Sequence, residues 1–89
     1  MKYKIELSNH AEKAIRKKTL TEDVLMDALD KSISWTEKKD VNIDVKKMVG
    51  VWKGFYRTKL GEIRIILLVD YERRTVFVDR IGPRGDVYK

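Results

Sequence analysis

The sequence has 89 residues, of which 43% are hydrophobic and 38% charged, and it contains no cysteine. This length supports one hydrophobic core but not two, which predicts a single domain over residues 1–89. The lack of cysteine excludes disulfides, thiolate metal ligands and a cysteine nucleophile, and it is typical of a cytoplasmic protein. The longest apolar run, residues 65–69, is far shorter than a membrane-spanning helix requires.

The net charge of +6 is distributed unevenly along the chain. Residues 1–45 contain nine Lys or Arg and nine Asp or Glu, whereas residues 46–89 contain eleven Lys or Arg and five Asp or Glu. Because a field of one sign attracts polyanions, the second half is a candidate surface for nucleic acid. A solvated surface that promotes solubility explains the same charge equally well.

The chain begins with a predicted strand and a short helix. Apolar and charged residues alternate over residues 3–7, which is the pattern of a half-buried strand. Ser8 can then cap a helix in which Ala11 and Ala14 recur at helical spacing. The basic residues 16–18 favour the end of this helix, since cations are stabilising near a helix C-terminus.

A second helix is predicted to start near residue 20. Thr19 and Glu22 have the spacing of a capping box at its beginning. One apolar stripe follows, formed by Val24, Leu25, Ala28, Leu29 and Ile33. The helix is expected to end within residues 32–35, and residues 36–42 are too polar to form a packed face, which predicts a loop.

The remainder of the sequence predicts a meander of three antiparallel strands. Residues 53–60, 63–71 and 75–81 have β-favouring patterns, with short turns at residues 61 and 62 and at residues 72–74. Residues 82–85 (GPRG) are expected to end the sheet. The sequence therefore predicts an α+β fold in which a two-helix hairpin packs on one face of a four-stranded antiparallel sheet, built from the N-terminal strand and the meander.

Cationic side chains are concentrated on one face of this meander. Arg57 and Lys59 lie two residues apart and share a face, with Lys53 in phase behind them. Arg64 begins the next strand, within cross-strand reach of Lys59 if the hairpin is tight. The opposite face, which would meet the helices, carries Tyr56, Thr58 and Leu60. Alternating charge also marks the ordinary solvent face of an antiparallel sheet, and this simpler interpretation stays open.

The residue types present favour a particular chemistry. The sequence contains no phosphate-binding glycine loop, no serine–histidine–aspartate set, no histidine pair and no carboxylate cluster suited to Mg²⁺. We therefore expect no metal ion and no other cofactor. Lysine, arginine and tyrosine can still support RNA cleavage in which the ribose 2′-hydroxyl attacks its own phosphate and the enzyme supplies a base, an acid and cations.

Three segments together resemble one protein family. They are residues 45–50 (VKKMVG), 54–66 (GFYRTKLGEIRII) and 76–88 (VFVDRIGPRGDVY). In combination, and with the leading strand and helical hairpin, they resemble the RelE/ParE toxin superfamily over essentially the whole chain. The resemblance implies a RelE-like fold and a ribosome-dependent mRNA endonuclease, the toxin of a type II toxin–antitoxin system. It also implies that a cognate acidic, RelB-like antitoxin holds the enzyme inactive.

The resemblance also implies roles for individual residues. Lys59 would be the general base and Arg84 would assist the leaving oxygen. Arg57 and Arg64 would hold the scissile phosphate, and Tyr88 would stack on the neighbouring nucleotide. Further contacts to RNA are expected from Lys46, Lys47, Lys53 and Arg80. Two positions depart from the family pattern, because Arg57 replaces a lysine and Pro83 replaces a histidine or lysine that many relatives have.

Two other functions remain open at this point. The first is a ParE-like toxin that inhibits DNA gyrase by binding and cuts no nucleic acid. The joint presence of Arg64, Arg84 and Tyr88 argues against it. The second is a nonenzymatic basic module that binds RNA or the ribosome, in which the same cations supply affinity alone.

Overall fold

The computed structural model describes residues 3–83, which form two helices and a five-stranded sheet. In chain order the elements are β1 (Lys4–Leu7), α1 (Asn9–Arg16), α2 (Glu22–Thr36), β2 (Asp44–Lys47), a 3₁₀ turn (Gly50–Trp52), β3 (Tyr56–Leu60), β4 (Ile63–Asp70) and β5 (Thr75–Pro83). The strand order across the sheet is β1-β5-β4-β3-β2. The α+β class, with both helices packed on the sheet, is confirmed.

The sheet differs from the predicted one in strand number and direction. The sequence predicts four strands, and the fifth is β2, at the edge beside β3. Its only buried residue is Val45, so its apolar alternation is too short to signal a strand. β1 runs parallel to β5, so the sheet is mixed. The helices carry the chain to the far edge, and the meander returns β5 to β1 in the same direction.

Two predicted boundaries shift because of backbone conformation. Thr21 caps α2 in place of Thr19, and its hydroxyl accepts a hydrogen bond from the Val24 amide. The strand predicted from residue 53 begins at Tyr56, since Gly54 has a φ of +96° and interrupts the extended chain.

The end of the sheet also lies further along the chain than predicted. β5 continues through Gly82 and Pro83, which are paired in register with Arg64 and Ile63 of β4. The strand predicted to stop at residue 81 therefore runs two residues further, and its last residue, Pro83, lies within the segment predicted to end the sheet. Eight paired positions on β4 hold β5 in place, so the missing amide of one terminal proline removes only one potential donor.

The hydrophobic core lies between the helices and one face of the sheet. Both helices contribute to it, with Ala11 and Ala14 from α1 and Leu25, Ala28, Leu29 and Ile33 from α2. Alternate residues of the central strands meet them, namely Ile65 and Leu67 of β4 and Val76, Val78 and Ile81 of β5. This arrangement leaves the other face of the sheet uncovered by helices.

One polar contact joins the second helix to the sheet inside this core. The hydroxyls of Ser32 and Thr58, both fully buried, lie 2.7 Å apart. Ser32 also donates to the Ala28 carbonyl oxygen at 2.7 Å, so the Thr58 hydroxyl is the donor between the two side chains. Thr58 therefore depends on Ser32 for its buried hydrogen bond.

This dependence predicts unequal effects of two substitutions. Ser32→Ala leaves the buried Thr58 hydroxyl without a hydrogen-bond partner and should lower the free energy of unfolding by about 1–3 kcal/mol. Thr58→Val leaves Ser32 bonded to Ala28 and should cost about 1 kcal/mol. Urea unfolding followed by circular dichroism measures both. A double variant that costs the full sum of the single effects would contradict the coupling.

Candidate functional site

The sheet face away from the helices carries two rows of side chains that cross the strands. Strand register aligns Lys46, Arg57, Ile66 and Arg80 in one row and Asp44, Lys59, Arg64 and Gly82 in the other. Directly paired residues in antiparallel strands point to the same face of a sheet. We call the five basic residues of these rows, Lys46, Arg57, Lys59, Arg64 and Arg80, the cationic face.

A β-bulge in β5 places Arg80 on this face. Val78 pairs with Leu67 and Arg80 pairs with Ile66, so Asp79 has no partner on β4. The extra residue shifts the alternation of β5 by one position and turns Arg80 away from the helices. Ser8 supports the bulge, because its hydroxyl donates to the Asp79 carbonyl oxygen while also capping α1.

Arg57 is buried although it lies on the cationic face. It is 9% exposed, and its Nη2 donates to Oδ1 of Asp44 at 3.1 Å. Beside it in the same row, Ile66 is fully buried (0% exposed) but lies outside the helix-side core. Arg57 and Arg80 are the direct cross-strand neighbours of Ile66, and arginine stems can cover apolar surface while their charged ends stay accessible.

The loop between β2 and β3 bends over the same face. The Arg80 guanidinium carbon lies 5.4 Å from the centroid of the Trp52 ring, within the range of a cation–π interaction. Trp52 also packs edge-on against Phe55, with 5.4 Å between ring centroids. Arg80 makes a further ion pair to its neighbour Asp79, with 3.5 Å between Nε and Oδ2. Arg80 is thus held by an aromatic ring and a carboxylate.

A basic cleft of about 420 Å³ opens between β2, its following loop and the cationic face. Its lining residues are Lys46, Lys47, Met48, Val49, Arg57 and Arg64. Four of these six residues are basic, and the cleft is large enough to receive a phosphate group together with part of a nucleotide. Guanidinium and ammonium groups are the usual protein partners of phosphate.

Lys59 and Arg64 lie beside this cleft as a cross-strand pair. Their Cα atoms are register partners next to the β3–β4 turn, where Gly61 has a φ of +58°. Within residues 3–83, neither side chain forms an ion pair. Two like charges held side by side, neither of them in an ion pair, attract an anion.

Other predicted site residues lie elsewhere or beyond the described part. Lys53 is not in phase with Arg57 and Lys59, because it lies on the loop and lines a separate hollow with Lys47, Gly54 and Phe55. The prediction that Lys53 continues the strand pattern is therefore wrong, and the reason is the left-handed conformation of Gly54. Arg84 and Tyr88 lie outside the described residues.

Sequence reasoning missed Asp44 and Trp52, the two residues that hold arginines of the cationic face. The shifted alternation of Val76, Val78 and Ile81 is the one sequence signal of the bulge that orients Arg80. Burial, and to a lesser degree the neighbouring Tyr71, raise the pKa of Tyr56 on the helix side.

Two searches of the described residues gave negative results. Residues 3–83 contain no group of three or more His, Cys, Asp or Glu side chains placed to hold a metal ion. No helix in the same range has the length and apolar character needed to cross a membrane.

Comparison with known proteins gave matches among solved structures only. No family model and no curated protein sequence matches the chain. A chain of the archaeal RelE–RelB complex from Pyrococcus horikoshii is 26% identical, with a TM-score of 0.63 over 96% of this chain and 98% of that one. A chain of the E. coli DinJ–YafQ toxin–antitoxin complex superposes over the full length of both chains, with a TM-score of 0.67 and 16% identity. A metal-bound toxin from Helicobacter pylori gives a TM-score of 0.72 at 14% identity, covering 94% of this chain and 97% of that one.

These likenesses define the class of the protein. The arrangement of two helices on a five-stranded sheet matches chains solved in the RelE–RelB and DinJ–YafQ complexes. The fold of the chain is that of the RelE-like toxins.

Proposed function

We propose that this protein is the toxin of a type II toxin–antitoxin system and that it cleaves mRNA on translating ribosomes in the cytoplasm. The observation that carries the proposal is the cationic face, where Lys59 and Arg64 stand side by side next to Arg57. A phosphodiester bound there would meet several cations at once. The RelE-like fold supports the same function, since RelE, RelBE2 and YafQ occur in structures of toxin–antitoxin pairs.

The proposed reaction needs only RNA, water and side chains of the protein. The ribose 2′-oxygen attacks the adjacent phosphorus, and its proton passes to Lys59, which accepts it in the neutral amine form. The bond between phosphorus and the 5′-oxygen breaks as that oxygen takes up a proton from the surrounding water, and Arg84 assists by donating a hydrogen bond to it. Arg57 and Arg64 stabilise the negative charge that develops on the phosphate oxygens. The products are a 2′,3′-cyclic phosphate and a 5′-hydroxyl.

The remaining basic residues are proposed to bind the RNA around the cut. Lys46 and Lys47 line the basic cleft and would contact neighbouring phosphates. Arg80 would do so from the other end of its row, and Lys53 from the loop. Tyr88 is proposed to stack on the nucleotide beside the scissile phosphate. Contacts of this kind determine the affinity for RNA and its position in the site. They take no part in the bond-breaking steps.

An acidic antitoxin of the RelB type is the proposed partner. RelE and YafQ were solved in complex with RelB and DinJ, respectively. The present chain has a net charge of +6, and five of its basic residues share one sheet face. An acidic segment over that face would neutralise the site and exclude RNA, because complementary charge steers and orients association.

Cell-free translation tests the proposal. Purified protein should generate new mRNA 5′ ends inside the coding sequence, detected by primer extension, and only when ribosomes translate the message. The Lys59→Ala variant should leave the mRNA intact. If wild-type protein blocks translation while the mRNA stays whole, it is a nonenzymatic RNA- or ribosome-binding module. Loss of DNA supercoiling by gyrase in the same extract would identify a ParE-like inhibitor instead.

A further inference from the structure

We propose that Asp44 is a positioning residue for Arg57 in the cleavage site, an inference that rests on the proposed function. Asp44 lies on the edge strand β2, directly opposite Lys59 in register. Its carboxylate accepts the hydrogen bond from Arg57 Nη2 at 3.1 Å. Asp44 is therefore an acid within the second cross-strand row, next to the proposed base Lys59 and bonded to Arg57, which would hold the scissile phosphate.

Burial makes this contact more than a surface ion pair. The Arg57 side chain is largely shielded from water, whereas that of Asp44 is mostly exposed. A buried guanidinium that lacks a partner is costly, and exposed pairs between flexible side chains contribute little. The hydrogen bond to Asp44 holds Nη2 of Arg57 in place. Because the guanidinium is planar and rigid, this bond also sets the direction of its other N–H groups. Because Arg57 lines the basic cleft, its orientation determines how a phosphate would be held there.

The same carboxylate opposes RNA binding through its charge. It lies among Lys46, Arg57 and Lys59, and it reduces the local positive potential that attracts a phosphodiester. Removing it should therefore have opposite effects on two measurable quantities. RNA affinity should stay the same or increase, while the rate of cleavage by bound enzyme should fall. A residue needed only for folding would lower both.

Single-turnover cleavage on programmed ribosomes separates these quantities. Asp44→Ala should lower the saturating rate by about 10-fold to 100-fold, because a misplaced catalytic group loses rate on this scale. The enzyme concentration that gives half the maximal rate should not increase. Asp44→Asn keeps an oxygen acceptor for Arg57 and should lose less rate. Asp30→Asn, an exposed acid on α2 with the same change in charge, is the control and should cleave like wild type.

A double-mutant cycle tests whether Asp44 acts through Arg57. In an Arg57→Ala background, Asp44→Ala should cause no further loss of rate, since the group that it positions is gone. Equal loss in both backgrounds would overturn the positioning role. A wild-type rate for Asp44→Ala would overturn it as well.

An assay without cleavage keeps the inference separate from the proposed function. Nitrogen-15 relaxation of the Arg57 Nε–H group, assigned with Arg57→Lys, should show a rigid guanidinium in wild type and in Asp30→Asn. Asp44→Ala should make it mobile, with Asp44→Asn in between. If wild-type protein cuts no RNA but this order holds, the proposed function is wrong and the anchoring of Arg57 is correct. If Arg57 is equally mobile in all variants, the anchoring is wrong whatever the activity.

Discussion

Replacing Arg64 with alanine is expected to lower the single-turnover rate of mRNA cleavage by about 10²-fold to 10³-fold. Arg64 lines the basic cleft and forms no ion pair within residues 3–83, so its charge is available to a bound phosphate. Groups that stabilise charge developing in a transition state act on the saturating rate more than on binding. The rate is measured on stalled ribosomes with saturating protein.

The matched control for this variant is Arg73→Ala. Arg73 is an exposed arginine in the turn after β4, where it makes a long ion pair with Asp70 of 3.9 Å. The Arg73→Ala variant loses the same charge as Arg64→Ala but should cleave at the wild-type rate. Arg73→Ala should keep a free energy of unfolding within about 0.5 kcal/mol of wild type, as exposed charge substitutions usually do, and unfolding of Arg64→Ala, whose side chain is partly buried, is measured beside it. Equal loss of rate in the two variants would mean that net charge alone matters, not the position of Arg64.

The second large effect concerns stability. Leu29→Ala should lower the free energy of unfolding by about 2–5 kcal/mol, because Leu29 is fully buried (0% exposed) and its removal leaves a cavity between α2 and the sheet. Met26 lies on the same helix but is 45% exposed, so Met26→Ala should cost far less. Urea unfolding curves give both values. If the two variants proved equally stable, the helix would not pack as described.

Short-range sequence patterns were enough to predict most of the fold. Ser8 caps α1, as its position before the apolar spacing indicates. The stripe of Leu25, Ala28, Leu29 and Ile33 packs on the sheet. The strands β3, β4 and β5 follow the alternation and the two short turns. These features depend on neighbours within a few residues, so the sequence signals them directly.

The missed features depend on contacts between distant segments. β2 has one buried valine and gains its strand conformation from pairing with β3, which no local pattern reveals. The parallel direction of β1 depends on the whole path of the chain. The contact of Trp52 with Arg80 requires a loop that bends across three strands.

The candidate site was predictable only where it depends on residues that are close in the sequence. The facing of Lys59 and Arg64 follows from a two-residue turn, so the sequence was enough to predict it. The bond from Asp44 to Arg57 needs the register of β2, and sequence reasoning therefore treated Arg57 as an open cation. The bulge at Asp79 leaves only a shift of alternation in the sequence, and sequence reasoning did not use it.

The chemistry at the cut ends tests the central proposal most directly. A short mRNA should be bound to programmed ribosomes, treated with the purified protein and analysed by mass spectrometry. Attack by the 2′-hydroxyl predicts a 2′,3′-cyclic phosphate on the upstream fragment and a 5′-hydroxyl on the downstream one, and neither with Lys59→Ala. Upstream fragments ending in a 3′-hydroxyl, or intact mRNA with wild-type protein, would contradict cleavage at the cationic face by this route.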